Sequence, residues 1–203
     1  MPSEPNEPMP GLPSWVVTLL VFSFFASVAL SLTFLPHALF RVLPARLLRH
    51  PSANCISNEK QILLAIAMYA DANGGRCPMD SANPTLVGSM QLLSNVSPAF
   101  SARVLYCPSD KRPGARPEAD FKKLTTLNIS YSYVPNLKWL DTPDSPLIMD
   151  RIYTTSKGNK WPSDGNHGSV GGNVGFNDGH VAWQNALPAA LKDKDGKEVV
   201  LSP

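Results

Sequence analysis

An α+β head carried on a transmembrane helix is the fold class the sequence predicts, and three observations predict it. Trp15 to Leu35, WVVTLLVFSFFASVALSLTFL, holds no formal charge, and at 1.5 Å of rise per helical residue such a run matches a hydrocarbon core of about 30 Å. Asn54 to Asn73 repeats apolar residues at helical spacing. Beyond residue 128, short alternating or apolar runs separated by turn residues have the form of strands in a small antiparallel sheet.

The N-terminal elements follow in order. Residues 1–14, rich in proline and acidic residues, cannot pack a core and are expected to form a tail. The tail has no lysine or arginine, so it lacks the basic start of a secretory signal, although Ser27-Val28-Ala29 resembles a cleavage site. Residues 15–35 form the expected span; with no ionisable side chain in it, the span holds and does not conduct. The juxtamembrane segment 36–53 carries Arg41, Arg46 and Arg49, a cytoplasmic flank by the positive-inside rule. Its prolines, Pro36, Pro44 and Pro51, each remove a helical hydrogen bond, which predicts a kinked or segmented helix.

Residues 54–203 are enough for one domain. Ile56, Leu63, Ile66, Ala67 and Ala70, widened by Ile62 and Tyr69, form one stripe of a core helix, with Asn54 or Ser57 as N-cap and Gly74-Gly75 as its end. Gly88–Leu93 and Pro98–Val104 read as short helical or irregular pieces. In NISYSYVPNL the alternation of Ile129, Tyr131 and Tyr133 with Ser130, Ser132 and Val134 predicts a strand, and Pro146–Met149 is a short buried one. Residues 154–172 are expected to be a long polar loop. Asn173–Phe176 and His180–Trp183 flank Asn177-Asp178-Gly179, the chemistry of a hairpin turn.

Charge and motif content narrow the function. Eighteen basic and sixteen acidic residues nearly cancel, and no basic face suggests a nucleic-acid partner. His167, Asp178 and His180 have the atom types for zinc or acid–base work, and Asp141, Asp144 and Asp150 offer oxygens to calcium, but neither set has a diagnostic spacing. The chain has no GxSxG, SxxK, HExxH or glycine-rich phosphate loop, and no catalytic residue, cofactor, metal or small-molecule substrate is expected. Cys55, Cys77 and Cys107 are too few for a framework. They are either buried thiols or, in an oxidising compartment, a Cys77–Cys107 disulfide with Cys55 left over.

Four stretches in order resemble the pseudopilin-like proteins of planctomycetes and verrucomicrobia, whose members carry a prepilin-type N-terminus and a processing-associated His-x9-Asp-Gly domain. They are CISNEKQILLAIAMYADANGGRCP, LYCPSD, ISYSYVPNL and NHGSVGGNVGFNDGHVAW. The resemblance implies a pilin-like fold related to type II secretion and type IV pilus components. It also implies a structural or assembly role in the cell envelope, protein partners of the same secretion or pilus type, and a head outside the cytoplasm, against the arginine flank. His167, Asn173, Asp178, Gly179 and His180 fall on its signature positions, whose chemical role is unknown. Ten residues rather than nine separate His167 from Asp178. The front departs further, with an acidic leader and no glutamate at the fifth position after Gly11, so the expected subunit sits on the bilayer by an unprocessed anchor. A membrane-tethered ligand-binding or sensor module, reading a ligand through residues 154–172, is the alternative.

Overall fold

The computed structural model describes residues 13–28 except 17, and residues 52–203 except 82, 83, 156, 157 and 188–190. The chain divides into two compact units, Met1–His50 and Pro51–Pro203. In the first, residues 14–16 and 18–28 are helical. Among the described residues no helix is long and apolar enough to cross a membrane. Residue 17 and residues 29–35 of the expected span, and residues 36–51 of the proline-interrupted segment, lie outside the described residues.

The second unit is α+β, built from one long helix and a small antiparallel sheet. Helix α1, Ser52–Ala72, buries Cys55, Glu59, Ile62, Leu63, Ile66 and Ala70; steps of three and four, widened by the adjacent Ile62 and Leu63, put them on one face. Asn54 and Ser57 lie inside this helix and not at its cap, a correction of about one turn; polar residues on an exposed helix face imitate a cap in sequence. The helix ends where expected: Gly74 and Gly75 have φ of 64° and 80°, and the Gly75 N–H returns to the Ala70 carbonyl at 2.8 Å.

A second, short helix, α2 (Leu86–Gln91), is capped by the Thr85 hydroxyl and runs into a 3₁₀ turn at Leu92–Asn95, with another at Ala102–Leu105. The strands are β1 (Tyr131–Tyr133), β2 (Pro146–Asp150), β3 (Tyr153–Thr155), β4 (Gly158–Lys160), β5 (Gly172–Phe176) and β6 (Val181–Gln184). The main sheet has the order β1-β2-β5-β6 and every pair is antiparallel. Residues 154–172, read in the sequence as loop, instead hold the β3–β4 hairpin and a 3₁₀ turn at Gly168–Val170. Short polar strands of three residues carry no periodicity for a sequence reading to detect.

Helix α1 lies across β2, β5 and β6, and the core is the layer between them. Gly175 makes that approach feasible: a Cβ there would sit 2.8 Å from Leu63 Cδ1 and 3.0 Å from Ile148 Cγ2. The outer edge of β1 is closed by the C-terminal tail, where Tyr133 and Leu201 exchange backbone hydrogen bonds of 2.9 and 2.8 Å. That pairing removes an open sheet edge.

Gly171, which leads into β5, has φ of 148° and would place a Cβ 2.6 Å from the Gln184 carbonyl oxygen and 2.8 Å from the Trp183 ring. Both the backbone conformation and the backbone neighbour oppose a side chain. Gly171→Ala is expected to destabilise the head by about 3 kcal/mol, read as a shift in the thermal or denaturant midpoint.

Candidate functional site: a buried polar cluster at the end of β2

Strand β2 is buried along its whole length and ends in a carboxylate, Asp150, which is 1% exposed. Such a group must be paired or neutralised, because an isolated buried charge is costly. Asp150 is paired on both oxygens. Its Oδ1 accepts from the Asn166 amide at 2.6 Å, and its Oδ2 accepts from the Asn173 backbone N–H at 2.7 Å and side-chain amide at 2.9 Å. His167 Nε2 stands 3.2 Å from Oδ2, with its side chain 5% exposed. Asn166 also donates to the Ser130 carbonyl at 2.9 Å. One carboxylate thereby fixes the segment 166–167, the start of β5 and the chain entering β1.

Beside Asp150, Arg151 leaves the sheet and remains 1% exposed. Its guanidinium donates to the Asp164 carbonyl at 2.6 Å, pairs with the Asp164 carboxylate at 3.2 Å and lies over the Tyr153 ring. The last residue of β2 and the one after it thus hold the same returning segment by two different charges.

On the helix side of the cluster, Cys55 and Cys107 form a disulfide, with Cα atoms 5.3 Å apart. Cys77 is a free, buried thiol, pushed up to about 12 by burial. The expected Cys77–Cys107 pair is therefore corrected. Cys107 closes the 3₁₀ turn that packs on α1, opposite Cys55, whereas Cys77 follows the far end of the helix and pairs its backbone with Leu137. The matching Cys-Pro contexts of Cys77 and Cys107 carried no information about proximity.

The CPSD segment has its own function in the fold. Asp110 accepts from the Arg112 backbone N–H and from its guanidinium, and Arg112 in turn donates to the carbonyls of Ile129 and Thr126 at 2.6 and 3.1 Å. Burial raises the Asp110 carboxyl, but the hydrogen bonds from Arg112 and its guanidinium charge outweigh it, leaving the group below the usual carboxylate range. Its stabilising effect is full above about pH 4 and is lost as pH falls through the lowered value.

Glu59 is the opposite case. It lies one turn beyond Cys55, is fully buried, and neither carboxyl oxygen has a hydrogen-bond partner. Burial, and then the Asp150 charge, raise it well above the ordinary value. The folded head keeps this proton while the unfolded chain releases it above about pH 4.3, so the group increasingly opposes folding as pH rises toward the folded value. Within that window Glu59→Gln is expected to reduce the pH dependence of stability by up to about 1.4 kcal/mol per pH unit, measured by denaturation from pH 5 to 8.

The structure divides the sequence-derived trio. His167 and Asn173 join Asp150 inside the head, while Asp178 and His180 pair with each other on the exposed β5–β6 turn at 2.5 Å, where His180 stacks on Phe176. Gly179, φ 91°, allows that turn. Of the calcium candidates, Asp141 and Asp144 are exposed in the turn before β2 and Asp150 belongs to the buried cluster. Cys55, Glu59, Arg151 and Asn166 were not singled out as site residues from sequence. The position of Asp150 directly after the apolar PLIM was the one available signal of a buried charge.

Comparison of the chain with protein-family models, curated proteins and solved structures returns no match.

Proposed function

We propose that this chain is a single-pass inner-membrane protein whose α+β head is a pseudopilin-like structural or assembly subunit, not an enzyme. One observation carries the reading: the helical stretch ahead of residue 29 displays Trp15, Leu19, Phe22, Phe24 and Phe25 with 60–70% of their surface exposed. A row of uncovered aromatic and aliphatic side chains calls for lipid or a protein partner, and the uncharged sequence running on to residue 35 favours lipid. The head supports a quiet role as well. Its motif residues His167 and Asn173 direct Nε2 and the side-chain amide N–H at Asp150 and face inward, so they serve the fold before any substrate.

The Cys55–Cys107 disulfide favours a head on the oxidising side of the membrane, in line with the pilin resemblance and against the juxtamembrane arginines. The full-length chain is expected to resist alkaline carbonate extraction from membranes. Single cysteines placed at exposed positions of the head are expected to react with impermeant maleimide on intact cells, and head contacts should cross-link to pilus- or secretion-type subunits. A chain recovered in the aqueous fraction without detergent would contradict the anchor.

A further inference from the structure

We propose that the same cluster is a zinc site in the reduced protein, with Cys55, Cys107, Asp150 and His167 as the four ligands. One ligand atom from each residue, two sulfurs, a carboxylate oxygen and an imidazole nitrogen, all lie within 4.8 Å of one another. Tetrahedral zinc with bonds of about 2.3 Å to sulfur and 2.0 Å to nitrogen or oxygen needs its ligand atoms roughly 3.3–3.8 Å apart, within that envelope. Among the described residues no other group of His, Cys, Asp and Glu side chains comes together in this way.

Three features make the cluster a built site. The ligands come from four separate parts of the fold: α1, the turn after Ala102–Leu105, the end of β2 and the segment before β5. Their positions are thus set by the tertiary structure. Asp150 is already oriented by Asn166 and Asn173, the outer hydrogen bonds that metal-binding carboxylates ordinarily need. All the ligands are buried or nearly so, and Glu59, a buried carboxyl with no partner on either oxygen, stands one helical turn from Cys55 and feels the Asp150 charge.

In the oxidised chain the two sulfurs are bonded to each other. A phosphine reductant with one water converts the disulfide to two thiols, itself leaving as the phosphine oxide and accounting for both electrons and the oxygen. Zinc then replaces the two thiol protons, which pass to solvent, while carboxylate and neutral imidazole donate electron pairs. Either state ties α1 to the Cys107 turn. The metal also ties both to β2 and to the His167 segment.

The test uses the full chain in detergent, unfolded, reduced with a phosphine and refolded with Co²⁺ or Zn²⁺ alone. The expected result is one metal per chain, sulfur-to-cobalt charge transfer with tetrahedral cobalt bands, and X-ray absorption showing two sulfur neighbours at about 2.3 Å and two lighter ones at about 2.0 Å. Cys55→Ser and Cys107→Ser should each abolish binding, His167→Ala should weaken it at least about ten-fold, and Cys77→Ala should leave it unchanged. The disulfide-bonded wild-type chain should bind none. A reduced chain that folds without taking up metal, that fails to fold even with zinc present, or that shows any other sulfur count overturns the site. Membrane attachment has no bearing on these readouts, so they stand apart from the test of the assembly role.

Discussion

Asp150→Ala is expected to destabilise the head by about 3–5 kcal/mol, the loss typical of removing one partner from a buried charged network. For a unit of this size that is a fall in melting temperature of roughly 10 °C. The reason is specific to this carboxylate. It accepts from Asn166 and from two N–H groups of Asn173, and it faces His167. Without it, several buried donors lose their partner at once, and each unsatisfied group carries its own desolvation penalty. Asp178→Ala, by contrast, removes an exposed pair in a surface turn and is expected to shift stability far less. Thermal or chemical denaturation of the two variants side by side separates an inward network from an outward turn that share one sequence motif.

Opening the cross-link is the second large effect. The bridged cysteines are 52 residues apart, and restoring the freedom of a loop that long to the unfolded chain is worth about 4 kcal/mol in the chain-entropy account. Cys55→Ser and Cys107→Ser are both expected to show this loss, while Cys77→Ala, which touches no disulfide, should show about 1 kcal/mol from lost packing. Non-reducing peptide mapping checks the pairing itself: one linked fragment joining the peptides of Cys55 and Cys107, collapsing on reduction. A fragment joining Cys77 to Cys107 would restore the pairing suggested by their matching Cys-Pro contexts.

Much of this architecture could be read from residues alone. The helix from Ile56 onward, its glycine stop, the strand around Tyr131–Tyr133, the buried run ending at Met149 and the β5–β6 hairpin all announce themselves through periodicity or turn chemistry, because each is a local property of a few neighbouring residues. The cluster could not be read in the same way. In sequence Asp150 is one of three carboxylates that offer oxygens to calcium, and only the fold shows that it ends a wholly buried strand against Asn166 and Asn173. Glu59 was hidden by its surroundings: in SNEKQ it reads as part of a solvated stretch, yet it occupies the same face as Cys55, Ile62 and Leu63. The disulfide was missed for a related reason. Long-range pairing depends on which turn packs on which end of α1, and no spacing rule encodes that. Three-residue strands such as Tyr153–Thr155 and Gly158–Lys160 are below the length at which alternation can be recognised.

His167 heads the motif shared with the pilin-like resemblance, and here its ring is packed against Trp183 with Nε2 directed at Asp150. If that histidine serves the fold, its energetic partner must be the carboxylate it faces. A double-mutant cycle on the full chain, with His167→Ala, Asp150→Ala and the pair compared by denaturation, measures that coupling. A coupling energy of about 1.5–3 kcal/mol is expected for a buried charged contact. Strict additivity, with His167→Ala as stable as the parent, would contradict the inward structural role and return the histidine to the search for a surface function.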